Sequence, residues 1–126
     1  MKAKYVALIG AMLMSLPTAF AGMKMGALDV YIDAGARYAR GTMLGTNLSA
    51  DGDQYMNCTQ NMGSWGGYIS CTYRSASNQY ASCYTYDANI IATIRSIQET
   101  SSLYLWWDEY GKCTSAWVDT NSYYLR

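Results

Sequence analysis

Residues 67–86 read Gly-Tyr-Ile-Ser-Cys-Thr-Tyr-Arg, then Ser-Ala-Ser-Asn, then Gln-Tyr-Ala-Ser-Cys-Tyr-Thr-Tyr. Two runs of alternating character flank four small polar residues. Side chains along a strand point to opposite sides in turn. In the first run Ile69, Cys71 and Tyr73 therefore share one face, while Tyr68, Ser70 and Thr72 share the other. In the second, Ala81 and Cys83 oppose Tyr80, Ser82 and Tyr84. The pattern predicts two antiparallel strands, Gly67 to Arg74 and Gln79 to Tyr86, joined by a turn over Ser75 to Asn78.

Upstream, Gln54 to Thr59 adds a third strand, separated from Gly67 by a loop over Asn61 to Gly66. Asp51-Gly52-Asp53 before it is a turn signal. Downstream the period changes. Ile90, Ile91, Ile94 and Ile97 recur at helical spacing, and Asp87 stands where an N-cap carboxylate would accept from the first free N–H groups. A helix is predicted from Ala88 to Glu99. Leu103 to Trp107 and Cys113 to Val118 then form a hairpin whose turn, Asp108 to Lys112, uses Gly111. Residues 22–50 give a mixed signal. Leu28, Val30 and Ile32 alternate with Asp29, Tyr31 and Asp33, which reads as a short strand, and Ala36 to Leu48 reads as a strand bent at Gly41 and Gly45. The tail from Asp119 to Arg126 is polar and rich in tyrosine. These elements predict an α+β fold: a small antiparallel sheet of about five or six strands, with one amphipathic helix packed on one face and two disulfides. The expected core is Ile69, Cys71, Ala81, Cys83, Ile90, Ile91, Ile94, Ile97, Leu103, Leu105, Trp107 and Cys113.

The first 21 residues are of another kind. Lys2 and Lys4 precede an apolar run from Tyr5 to Leu16, followed by Pro17 and Ala19-Phe20-Ala21. A basic start, a short apolar stretch and an A-x-A end describe a secretory signal peptide, with cleavage predicted after Ala21. The expected product is a single domain, 22–126, secreted or periplasmic, with no membrane span. In such a compartment Cys58, Cys71, Cys83 and Cys113 read as disulfides. Three pairings are open. The strand order favours Cys58–Cys71, stapling neighbouring strands, with Cys83–Cys113 clamping the helix over the sheet. No C-x-x-C exists, and zinc would need all four thiolates because the chain has no His. Neither a metal site nor a cofactor is therefore expected.

The succession Cys71-Thr72-Tyr73, Ser82-Cys83-Tyr84-Thr85, the Ile-rich helix with Ser96-Ile97, Leu103-Tyr104-Leu105, Gly111-Lys112-Cys113-Thr114 and Asn121-Ser122-Tyr123 resembles a set of small exported, four-cysteine proteins of Gram-negative bacteria. The resemblance covers roughly residues 54–124 and rests on cysteines and framework residues. It implies export and disulfide bonding, and carries no activity with it.

Loss of Lys2 and Lys4 leaves nine acidic and seven basic residues. So weak a field predicts no nucleic-acid partner. Catalysis of the serine type normally needs a His base, which is missing, and G-x-S-x-G is absent as well. Asp108 and Glu109 suggest the paired acids of glycoside hydrolysis, yet they lie together in a turn. No catalytic residue is assigned.

Aromatic residues carry the remaining signal, for Trp and Tyr rings make flat platforms for sugars and dominate protein interfaces. Trp106 and Trp107 are adjacent on a strand and must face opposite ways. Trp107 is in register with Leu103 and Leu105 and is assigned inward. Trp106 and Tyr104 then lie on the other face, with Tyr68, Tyr80 and Tyr84 as company. The leading expectation is a non-catalytic exported module that binds an unknown protein or glycan through this Tyr/Trp face, an inhibitor among the options. The first alternative is a self-assembling extracellular subunit, a homo-oligomer built through neutral, Pro-free strand edges. A small carboxylate hydrolase is the last.

Overall fold

The computed structural model describes residues 28–120. The expected signal segment, 1–21, and the last residues of the Tyr-rich tail lie outside them. The chain runs β1 (Tyr31–Asp33), β2 (Tyr38–Thr42), α1 (Met43–Asn47), β3 (Tyr55–Gly63), β4 (Gly66–Arg74), β5 (Tyr80–Thr85), α2 (Ala88–Arg95), β6 (Ser101–Trp107) and β7 (Cys113–Thr120). All strand pairs within the sheets are antiparallel, but they form two sheets rather than one. The first sheet has the order β1-β2-β6-β7 and the second the order β3-β4-β5. The expectation of a single sheet of five or six strands is thus corrected to seven strands in two sheets, with two short helices in place of one.

The second sheet is the predicted meander. Its turns follow the small residues: Asn78 adopts a left-handed φ of 65° after Ser75-Ala76-Ser77. The expected loop over Asn61 to Gly66 is shorter than predicted. β3 runs on to Gly63, and the chain reverses through Ser64 and Trp65 into Gly66, whose φ of 112° favours glycine. The first sheet draws on distant segments, with Tyr38 opposite Trp106 and Thr42 opposite Ser102.

Between them lies one core. The first sheet contributes Ile32, Ala39, Leu103, Leu105 and Cys113, the second Met56, Ile69, Cys71, Tyr73, Ala81 and Cys83, and α2 contributes Ile94. Of the expected core, eight residues are buried in it, while Ile90, Ile91, Ile97 and Trp107 are partly buried and pack against it. Tyr73 is almost wholly buried, and its hydroxyl donates to the Leu103 carbonyl at 3.1 Å, a polar link from one sheet to the other. Burial holds its phenol neutral by raising its pKa.

The helices obey their caps. Asp87 Oδ1 accepts from the N–H groups of Asn89 and Ile90, as predicted for α2. α2 stops at Arg95, short of the expected Glu99, where the Ser96 hydroxyl donates to the Thr93 carbonyl at 2.6 Å and Ser96 N–H returns to the same oxygen. The expected bent strand over Ala36 to Leu48 is instead β2 followed by α1. The Thr42 hydroxyl accepts from Gly45 N–H at 3.0 Å and turns the chain into a single helical stretch.

The sulfurs pair Cys58–Cys71 and Cys83–Cys113. Cys58, Cys71 and Cys83 are register partners, standing in one row across β3, β4 and β5. The first bridge lies within the second sheet. The other joins the two sheets at a corner where Tyr84 N–H also donates to the Gly111 carbonyl. Two such bonds fit an oxidising compartment. No helix of the described residues is long and apolar enough to cross a membrane.

Candidate functional site

With one face of each sheet turned to the core, the alternation of strand side chains turns the other face outward. The five aromatic residues expected on one surface are therefore divided. Tyr104 and Trp106 stand on the outer face of the first sheet, opposite Arg40 and Tyr38. Tyr68, Tyr80 and Tyr84 stand on the outer face of the second. Alternation told which way each ring points relative to its own strand, but not which sheet that strand would join.

The first outer face gathers its rings most tightly. Tyr38 lies at the centre, with its ring 4.9 Å from that of Trp106, 6.4 Å from Tyr104 and 6.3 Å from Tyr31. Tyr104 in turn lies 6.1 Å from Trp117, and the Arg40 guanidinium stands 5.5 Å over Tyr31. Tyr38, Tyr104, Trp106, Trp117 and Asp119 line a shallow cavity of about 280 Å³. That is ample for one small ring. Burial is the main influence on Tyr38 and raises its pKa, against the opposing pull of Arg40, so its hydroxyl stays a donor through the neutral range. Trp106 is half-buried within the group, while Trp117 is 64% exposed at its rim.

Trp117 and Tyr38 were not expected here. Counting from inward-facing Cys113, simple alternation would turn Trp117 inward as well. A bulge breaks the count: Trp107 pairs with Cys113 but Trp106 pairs with Ser115, so Thr114 is extra and Trp117 swings outward beside Tyr104. Tyr38 follows the ambiguous N-terminal segment and becomes legible only once β2 is known to pair with β6.

The second outer face is more open and more polar. At its hairpin end the rings of Trp65 and Tyr68 stack at 6.1 Å, Tyr86 lies 5.6 Å from Tyr68, and Tyr84 meets Tyr86 edge-on. At the far end Tyr55 and Tyr80 lie 6.4 Å apart, with Arg74 over Tyr80. Asn57, Thr59, Ser70, Thr72 and Ser82 occupy the middle, where the Thr72 and Ser82 hydroxyls stand 3.3 Å apart.

The acids singled out by the sequence serve turns. Asp108 Oδ1 accepts from the N–H groups of Tyr110 and Lys112, and Glu109 beside it is exposed. Asp51 Oδ1 accepts from Asp53 and Gln54 N–H, while Oδ2 accepts from Gln54 Nε2, and these bonds, that from the Gln54 side chain first, lower its pKa. Gln54 Oε1 then accepts from Val30 N–H at 2.7 Å, tying the turn to the strand region ahead of β1. Among the described residues no three His, Cys, Asp or Glu side chains gather as metal ligands would. In comparisons with known proteins, the chain matches no family model, no curated protein and no solved structure.

Proposed function

We propose that this chain is an exported, disulfide-bonded binding module that takes a glycan ring into the cleft of Tyr38, Tyr104, Trp106 and Trp117. The single observation that carries the reading is that cleft: four aromatic side chains from β2, β6 and β7 around one ring-sized hollow. Aromatic rings offer a sugar's apolar face a flat partner at little conformational cost. Tyr38 and Asp119, which line the same hollow, add polar character to its aromatic wall. Export is supported by the N-terminal pattern of Lys2, Lys4 and Ala19-Phe20-Ala21 together with the two disulfides. The hydrolase reading loses support because the Asp108 carboxylate is committed to its own turn.

A glycan array probed with the processed protein, followed by calorimetric titration of each positive oligosaccharide, tests the reading. Trp117→Ala and Trp106→Ala are each expected to weaken binding at least about tenfold, or about 1.4 kcal/mol. Trp65→Ala, on the other sheet, is expected to leave it unchanged. Binding lost with Trp65→Ala and kept with Trp117→Ala, or no oligosaccharide bound at all, would overturn it.

A further inference from the structure

Among the described residues four strands end a sheet, and three of them are guarded. β1 is only three residues long. β5 is met at Tyr84 by Lys112 and Gly111 of the other sheet's hairpin. β7 carries a bulge and packs against α2. β3, which α1 approaches at its Tyr55–Met56 end, differs from them in length and regularity. It pairs with β4 over nine residues, Tyr55 to Gly63, with no break in register. It holds no charged residue and no Pro, the usual guards of an open edge. Among the described residues, none of its backbone groups bonds to anything beyond its own sheet.

Which groups face outward follows from one distance. The Cα atoms of Cys58 and Cys71 lie 4.0 Å apart, in the close class of antiparallel pairs that exchange no backbone hydrogen bonds. The N–H and C=O of Cys58 therefore point away from β4, and so do those of Met56, Gln60 and Met62. The same stretch is a chemical palindrome: Met56-Asn57-Cys58-Thr59-Gln60-Asn61-Met62 reads Met-Asn-x-Thr-x-Asn-Met in both directions.

The geometry points to a second copy of this chain as the partner of β3, paired antiparallel about a two-fold axis at Thr59. Such an isologous contact sets like against like. Thr59 meets Thr59 of the copy, Asn57 meets its Asn61 on the outer face, and Met56 meets its Met62 on the inner. The outward-pointing backbone groups fall opposite one another in this register, Cys58 with Gln60 of the copy and Met56 with its Met62, so the ladder closes with donors facing acceptors. A separate feature fits the same arrangement. Met62 is 72% exposed, and Met56, opposite which it would arrive, borders an open groove of about 560 Å³ that Met43, Leu44 and Tyr55 also line. A flexible thioether suits such a space. The product is one continuous six-stranded sheet.

Mass measurement by light scattering on the processed, oxidised protein, across a dilution series, tests the pairing. The wild-type chain is expected at twice its monomer mass. Thr59→Lys, on an exposed position, sets two like charges face to face and is expected to give a monomer, as is Thr59→Glu. Mixing the two variants restores the doubled mass, because unlike charges then meet across the axis. A wild-type chain that is monomeric at every concentration, a Thr59→Lys chain that stays dimeric, or a mixture that fails to pair while both variants keep the native circular dichroism would overturn the inference.

Discussion

The two sheets are built by opposite routes. In the β3-β4-β5 sheet every strand lies beside its neighbour in sequence and two strands are stapled by Cys58–Cys71. In the β1-β2-β6-β7 sheet the central pairing joins β2 to β6 across the whole of the other sheet and α2. The local sheet carries a hydroxyl- and amide-rich outer surface. The long-range sheet assembles the tight aromatic group. In this fold the candidate ligand site therefore depends on the pairing that costs most chain entropy to close.

The largest test of that comparison lies in the disulfides. Chain-entropy estimates from their sequence separations of 30 and 13 give about 3.6 kcal/mol for Cys83–Cys113 and about 2.9 kcal/mol for Cys58–Cys71. Replacing both members of the first pair by Ala is expected to lower the urea midpoint more than replacing both members of the second. The reverse order would mean that the local sheet leans on its staple more than its neighbour-to-neighbour ladder implies.

A smaller effect is expected at the buried side-chain link between the sheets. Tyr73→Phe removes the donor to the Leu103 carbonyl and should cost about 1 kcal/mol. The variant also removes a source of alkaline pH dependence. Burial raises the folded pKa of Tyr73, so its contribution is intact below the ordinary tyrosine range and is lost as pH rises beyond about 10. Thermal melts at successive alkaline pH values should show a shallower decline for Tyr73→Phe than for the wild type.

The smallest effect is expected at the exposed Asp51 turn. Hydrogen bonds, chiefly from the Gln54 side chain, lower the folded pKa of Asp51. Its stabilisation is therefore present above the ordinary carboxylate range and fades as pH falls through the lowered folded value. Asp51→Ala should reduce the melting temperature slightly at neutral pH and converge with the wild type in acid. Equal offsets at both pH values would show that the turn acts through shape alone.

The same contrast explains what could be read in advance. The meander was legible because Ile69-Cys71-Tyr73 and Ala81-Cys83 alternate cleanly and Ser75 to Asn78 interrupts them. α2 was legible because Asp87 and four isoleucines agree. α1 was not, since five residues after Thr42 carry too few turns to show a period. The division into two sheets was hidden as well, because nothing local to Tyr38 names Trp106 as its neighbour. Of the aromatic site, the outward turn of Tyr104 and Trp106 was legible. The part played by Trp117 was concealed by one extra residue, Thr114.

The row of Cys58, Cys71 and Cys83 has a consequence for how the chain matures. Synthesis from the N-terminus delivers these three sulfurs before Cys113 exists. Cys71 then has a mate on either side at nearly equal intervals along the chain. Early oxidation toward Cys83 strands Cys58 as a free thiol directly across from Cys71. That thiol, once ionised, is placed to attack the misformed bond and release Cys83 for its later appointment with Cys113. The crowded row thus holds both the opportunity for an error and the nucleophile that corrects it.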